Sequence, residues 1–267
     1  MSKKKLELVE STSFFDENVA TYSWTYVPGD KLFPWEPEFI EFMRNNSRHK
    51  TLLDVGAGSG RFAMLIRQKF SDFQITALDP STTLLEKIED ESIRKVVGKL
   101  PDLNLSPEES FYFIHVSMVL HHLVGKTINE SKNIVKESLR GLREHLEDAG
   151  SLMIVDEAWE TYMIPTTSRT LTFFLLSLAD RFNITMPGAL TARDANRPSR
   201  DLKGLVACFY TLSELENLLK DCGFEIVQSN TYSYPPSEIC KRFKRRMLLK
   251  RWRIMWLIAR KATLLPL

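Results

Sequence analysis

Thr51-Leu-Leu-Asp-Val-Gly-Ala-Gly-Ser-Gly-Arg61 is the stretch on which the fold turns. Leu52, Leu53 and Val55 make a short apolar run of strand length. Gly56, Gly58 and Gly60 follow, residues that let a backbone turn sharply and approach a ligand closely. The next segment, Phe62 to Phe70, sets Phe62, Leu65, Ile66 and Phe70 on one helical face. A strand, a glycine turn and a helix N-terminus together form a seat for a small polar ligand. Asp54 stands out as an ionisable side chain inside the apolar run.

Working outward, Phe73 to Leu78 reads as a second strand, closed by Asp79-Pro80. Ser81 or Thr82 can cap a helix with Leu84, Leu85 and Ile88 inward. Ile93 to Val97, Phe111 to Ser117 and Ser151 to Val155 read as strands three to five, the fourth apolar enough to be central. Between the last two, the spacing of Ile128, Val135, Leu139, Leu142 and Leu146 predicts a helix over 126–147, stopped by Ala149-Gly150. Thr211-Leu-Ser-Glu214 is a capping box that opens another helix, and Phe224 to Gln228 is a sixth strand. Strands alternating with helices imply parallel pairing through right-handed crossovers.

Three regions break this rhythm. Residues 11–35 carry Phe14, Phe15, Tyr22, Trp24, Tyr26, Phe33 and Trp35, a short amphipathic helix before Pro28-Gly29, followed by a second helix from Pro37 to about Asn46. Residues 158–208 hold the apolar Leu171 to Leu178 and then a polar Arg- and Asp-rich stretch, which reads as an inserted cap. The last segment, Arg253 to Arg260, fits either a buried strand or the end of a basic amphipathic helix running from Ser237 to Arg251. The expected division is N-terminal lid helices over 1–48, a binding domain over 49–158 and 205–267, and a cap over 159–204.

The chain has 267 residues, 43% hydrophobic and 26% charged, the balance of a globular protein rather than a membrane or disordered one. No apolar run nears the roughly 18–20 residues a membrane span needs. Leu6 to Glu10 is too short and too charged for the apolar core of a signal peptide. Cys208, Cys222 and Cys240 have neither metal nor disulfide spacing, so no metal site is expected and a reducing cytoplasm is the expected location. The net charge of +2 conceals an asymmetry: residues 237–253 hold eight basic side chains against Glu238, and the rest of the chain is acidic.

A glycine turn on a doubly wound sheet can seat a dinucleotide, and G-x-G-x-x-A is present at Gly58, Gly60 and Ala63. The register opposes that reading. The turn begins earlier, at Gly56, and Asp54 sits where a dinucleotide strand carries an apolar residue. A pyrophosphate gains nothing from that carboxylate, whereas an ammonium does, held directly or through water. The turn amides of Gly56, Ala57 and Gly58 can then take a neighbouring carboxylate.

Asp54-Val-Gly-Ala-Gly-Ser-Gly60 resembles the D/E-x-G-x-G-x-G signature of the class I S-adenosylmethionine-dependent methyltransferases, small-molecule branch. The similarity covers roughly residues 49–158 and 205–260. It implies an α/β fold: a doubly wound, seven-stranded Rossmann-like sheet, mostly parallel with the last strand antiparallel, bearing an inserted helical cap and an N-terminal lid helix. Trp256 to Lys261 resembles the family's last strand. The resemblance also implies S-adenosylmethionine as cofactor, with S-adenosylhomocysteine as product. Asp79 would hold the ribose hydroxyls, Pro80 and Leu84 would flank the adenine, and Ser117 with Met118 would lie along the methionine portion. A lid helix would bring Tyr22 to the same site. Relatives often follow strand three with a Gly-Asp pair that reads the adenine amino group. Here the pair is Gly98-Lys99, and Lys99 cannot accept a hydrogen bond, so that role would pass to the Lys99-Leu100 backbone or Asp102.

Methyl transfer to a hydroxyl needs a base. His121 and His122 follow strand four at the edge where ligands lie, and an imidazole near pKa 6.5 suits the task. Asp156, closing the fifth strand, can orient a histidine or bind the acceptor. His115, inside strand four, reads instead as a hydrogen-bonded core residue. The expected acceptor is a small, largely apolar or aromatic molecule, with oxygen as the methylated atom. The basic segment leaves RNA, an acidic carrier protein or an anionic membrane surface as other partners, DNA is not among them, and the chain is a monomer or homodimer.

Overall fold

The computed structural model describes residues 29–46, 48–161, 165–181, 207–233 and 249–262. Its centre is one seven-stranded sheet in the order β3-β2-β1-β4-β5-β7-β6. The strands are β1 (Thr51–Val55), β2 (Gln74–Asp79), β3 (Arg94–Val97), β4 (Phe111–Ser117), β5 (Leu146–Thr161), β6 (Phe224–Ser233) and β7 (Leu249–Lys261). β1 pairs in parallel with β2 and β4, β2 with β3, and β4 with β5. β7 runs antiparallel to both of its neighbours. The doubly wound sheet with a reversed last strand is therefore the architecture read from the sequence.

Among the described residues six α-helices cover it: α1 (Glu36–Asn46), α2 (Arg61–Lys69), α3 (Thr82–Leu85), α4 (Ile128–Glu144), α5 (Pro165–Arg181) and α6 (Leu212–Asp221). Alternation along the strands sends side chains to two separate cores. On one face Leu53, Val55, Ile114, Val116, Leu152 and Ile154 meet α4 and α6. On the other, Leu52, Phe113, Met153 and Val155 meet Phe39, Ile40 and Met43 of α1 and Phe62, Leu65 and Ile66 of α2. Thr127 and Thr211 cap α4 and α6, and Thr211 with Glu214 forms the full capping box. From β1 the chain winds toward β3 and then returns to place β4 on the other side of β1. The carboxyl ends of β1 and β4 thus border the crevice where such sheets bind ligands.

The structure corrects three sequence readings. The helix expected over 126–147 ends at Glu144, because Leu146 already pairs with Phe111 as the start of β5. Gly150, read as a helix stop, serves a register shift between Phe111 and Phe113, and a Cβ there would lie 2.6 Å from the Tyr112 carbonyl oxygen. A glycine that ends a helix and one that permits a bulge look alike in sequence. β5 also continues past the expected start of the cap to Thr161, which provides a partner for the first residues of β7. Leu249 to Arg251 therefore belong to a strand, not to the basic helix expected over 237–251. Residues 237–248, the lid helix with Tyr22, and most of the expected cap lie outside the described residues.

Glu36 ties the N-terminal side of the fold to the glycine turn. It is almost fully buried, accepts from the Phe33 amide at 2.7 Å and pairs with Arg61, the first residue of α2. The Arg61 guanidinium lies 4.0 Å over the Phe33 ring. Among the described residues no helix is long and apolar enough to cross a membrane.

Candidate active site

The turn after β1 is pinned from below. The amides of Gly56 and Ala57 both donate to the Leu78 carbonyl, at 2.8 and 3.1 Å. Gly56 has φ +71°, and a Cβ would sit 2.2 Å from Val119 Cγ2, so glycine is required there. Gly58, at φ +55°, has no atom within 4 Å of where its Cβ would be, leaving open space beside the turn. Its amide donates to Asp79 Oδ2 at 2.8 Å, while Asp79 Oδ1 accepts from the Ser81 amide at 2.9 Å. The carboxylate that closes β2 is thereby fixed against the glycine turn, 7% exposed.

Asp54 lies beneath the turn at 2% exposure. Its Oδ1 meets His115 Nδ1 at 2.7 Å, directly across the β1–β4 pairing, and its Oδ2 has no hydrogen-bond partner. His115 is a buried, hydrogen-bonded core residue, and its partner is the carboxylate singled out for ligand binding. Beyond β2, Leu84 and Leu100 are buried and Pro80 half-buried. Lys99 is exposed, and its amide donates to the Asp102 carbonyl at 3.0 Å. Ser117 and Met118 are half-buried at the end of β4, with Met118 at φ +57° and its amide bonded to the Val155 carbonyl. These residues lie at or just beyond the carboxyl ends of β1, β2, β3 and β4, the edge at which sheets of this topology bind ligands.

A second cluster lies just past the carboxyl end of β4. Asp156, expected to close the fifth strand, instead sits within β5, which pairs with β4 as far as Val155 and runs on beside β7 to Thr161. His121, in the 3-10 turn Leu120–His122, meets Asp156 Oδ1 through Nδ1 at 2.5 Å. Asp156 Oδ2 accepts from the His121 amide at 3.2 Å, and Oδ1 also accepts from the Glu157 amide at 2.7 Å. Burial alone would lower the His121 pKa, but the charge and hydrogen bond of Asp156, with Glu157 behind it, outweigh that and raise it above 6.5. Burial and the neighbouring His121 hold His122 well below that value, its ring 4.0 Å from that of His121. The two histidines are thus unequal: the pKa of His121 is raised and that of His122 lowered.

The segment returning from the insertion locks this arrangement. Cys208 donates its amide to the His121 carbonyl at 2.8 Å, and Trp159 donates to the Tyr210 carbonyl at 2.9 Å. The Phe209 ring stacks on His121 at 5.6 Å and on Trp159 at 5.2 Å, so three rings lie nearly parallel. Arg169 of α5, buried, pairs with Glu214 at the start of α6 and docks the insertion on the domain.

Glu157 was passed over in the sequence, where it reads as a second strand-end carboxylate. It is 7% exposed, its Oε2 has no hydrogen-bond partner, and burial pushes its pKa to about 8 despite the opposing effect of His121. Because the folded value exceeds the ordinary 4.5, stability associated with Glu157 is full below about pH 4.5 and is lost as the pH rises through about 8. Glu157→Gln, which cannot ionise, is expected to be more stable than the wild type by an amount that grows by a few kcal/mol between about pH 5 and pH 9. Thermal melts across that range check this, and a constant difference would contradict it.

A Rossmann-like sheet with a reversed last strand, an acidic glycine turn after β1 and a carboxylate closing β2 define the class I S-adenosylmethionine-dependent methyltransferases. The comparisons agree. A family described as "Methyltransferase domain" matches residues 34–229, and the chain belongs to it. The fold is similar to that of the CcbJ methyltransferase from Streptomyces caelestis, with TM-score 0.59 and 16% identity over 95% of this chain and 100% of that one. It is also similar to a phosphoethanolamine N-methyltransferase from Haemonchus contortus, solved with phosphomonomethylethanolamine and S-adenosylhomocysteine. There the TM-score is 0.58 at 12% identity, over 96% of this chain and 59% of the other. An S-adenosylmethionine-dependent methyltransferase from Methanosarcina mazei gives TM-score 0.57 and 18% identity, over 87% of this chain and 99% of its own. No curated protein sequence matches the chain. The protein is thus an S-adenosylmethionine-dependent methyltransferase.

Proposed function

We propose that the protein methylates an oxygen of a small, largely apolar or aromatic acceptor, with His121 as general base and Asp156 holding it. The observation that carries this reading is the His121–Asp156 pair, buried where β5 runs on past the carboxyl end of β4. Asp156 occupies Nδ1, so Nε2 is the nitrogen left to take a proton from the acceptor hydroxyl. The bond through the Asp156 carboxylate steadies the imidazolium that results. Stacked Phe209 and Trp159 fix the plane of the ring and add an apolar wall suited to an aromatic acceptor.

The residues around the glycine turn fit the cofactor. Asp79 is placed to hold the ribose hydroxyls, since a carboxylate suits a vicinal diol. Asp54 has a buried oxygen in need of a donor, which an ammonium supplies. The open side of Gly58 leaves room for the amino-acid portion, while the Gly56, Ala57 and Gly58 amides expected to receive its carboxylate are already bonded to the Leu78 carbonyl and Asp79. Pro80 and Leu84 would border the adenine together with the Lys99-Leu100 backbone, and Ser117 and Met118 would line the methionine portion. S-adenosylmethionine supplies an electrophilic sulfonium methyl, and the C–S electron pair returns to sulfur as the acceptor oxygen takes that carbon. The protein's share is alignment, exclusion of water and removal of the hydroxyl proton.

The test is radiolabelled methyl transfer over phenolic and aliphatic alcohols, amines and bulk RNA, with products resolved by mass spectrometry. Methyl ethers of apolar hydroxyl compounds support the reading. Label found only on amines or only in RNA overturns it, and the latter would assign the basic 237–253 segment to phosphate contacts.

A further inference from the structure

We propose that His115 is a positioning residue for cofactor capture: it holds the Asp54 carboxylate so that the second carboxylate oxygen meets the ammonium of S-adenosylmethionine. This rests on the assignment of Asp54 to that ammonium made above.

The two residues face each other across neighbouring parallel strands, Asp54 on β1 opposite His115 on β4. Their side chains are each about 2% exposed, and Nδ1 lies 2.7 Å from Oδ1. The imidazole has almost no freedom. Phe62, the second residue of α2, stacks on it with ring centroids 3.6 Å apart, and Phe39 of α1 meets it edge-on at 5.9 Å. Phe39 is itself held edge-on by Trp256 of β7 at 5.6 Å. A side chain clamped on three elements is a poor adaptor and a good fixture.

The hydrogen-bond inventory then assigns the charges. Asp54 Oδ2 and His115 Nε2 are both buried without a partner. A buried unpartnered N–H is costlier than a bare ring lone pair, so the neutral tautomer with its proton on Nδ1 suits the site. In that state His115 donates to Oδ1 and leaves Asp54 its full negative charge, with Oδ2 unfilled. An imidazolium there would cancel the charge and remove the attraction for an ammonium. A neutral donor fixes the carboxylate without neutralising it, and an incoming cation completes the set. The glycine turn begins two residues after Asp54, at Gly56.

The test uses two nucleosides that differ only at the end Asp54 would read. S-adenosylhomocysteine carries the amino acid; methylthioadenosine has the same adenosine and a thioether but no ammonium. Calorimetry on the wild type, Asp54→Asn, His115→Leu, His115→Asn and His115→Gln measures both. An asparagine places its amide nitrogen near the position of Nδ1, and a glutamine does not. His115→Leu and His115→Gln are expected to weaken S-adenosylhomocysteine by about tenfold or more while changing methylthioadenosine less than about threefold. His115→Asn is expected to stay within about threefold of wild type for both. Equal losses for the two nucleosides in every His115 variant would show a purely structural residue, and retention of S-adenosylhomocysteine binding in His115→Leu would refute the proposal outright. If His115→Leu does not fold, the contrast between asparagine and glutamine decides the matter. Should Asp54→Asn leave the preference for S-adenosylhomocysteine intact, the assignment of Asp54 fails, separately from the role of His115.

Discussion

His121→Ala is expected to lower kcat by about 100- to 10,000-fold, the range over which a general base contributes to a proton-requiring step. Binding of S-adenosylhomocysteine should be unchanged, because the imidazole belongs to the acceptor side of the crevice. His122→Ala should cost far less: burial and the adjacent His121 hold that histidine well below the ordinary imidazole value, which makes it the weaker base. Asp156 refines the test through pH. With His121 raised above 6.5 by Asp156, kcat/KM should climb with pH through that raised value as the base form appears. Asp156→Asn removes the charge that opposes burial, so the His121 pKa falls and the acid limb moves to lower pH. The plateau should fall as well, since the carboxylate no longer steadies the imidazolium. An unchanged acid limb in Asp156→Asn would show that the pair does not govern catalysis.

Asp79→Ala is expected to weaken S-adenosylhomocysteine by about 1.5–3 kcal/mol, the scale of hydrogen bonds to a charged group, or roughly tenfold to 150-fold in Kd. Two effects combine. The ribose hydroxyls lose a charged acceptor, and the Gly58 and Ser81 amides lose the carboxylate that fixes the turn against β2. Asp79→Asn separates them, because an amide oxygen can still accept from one of those amides while the charge is gone. Calorimetry with S-adenosylhomocysteine and with homocysteine, which lacks the nucleoside, checks the assignment: only the former should lose affinity. Equal affinity of wild type and Asp79→Ala for S-adenosylhomocysteine would remove Asp79 from the ribose site.

The glycine turn and the strand that leads into it were legible because every local signal there agrees: apolar strand, alternate glycines, amphipathic helix. The seven strands followed from the same alternation, and the last became readable only through the family resemblance of Trp256 to Lys261. What the sequence hid was register. Nothing local shows that Asp54 faces His115 sixty-one residues on, since the pairing depends on which strands become neighbours. The helix–strand boundary at Leu146 was lost because Gly150 permits a bulge as readily as it ends a helix. Asp156 was singled out as a strand-end acid, although β5 runs on to Thr161; Glu157 beside it was not singled out, because its interest comes from burial, a tertiary property. Phe209 was missed for a similar reason, as its stack on His121 is formed by a segment returning from the insertion. Lys99 shows the opposite case: its inability to accept a hydrogen bond follows from its chemistry alone, and in the fold it is exposed.

The most direct test of the account is a crystal structure of the protein with S-adenosylhomocysteine. The ribose hydroxyls are expected on Asp79, the ammonium on Asp54 Oδ2, and the sulfur facing the edge where His121 and Asp156 stand. A nucleoside seated elsewhere, or a sulfur turned away from His121, would contradict it.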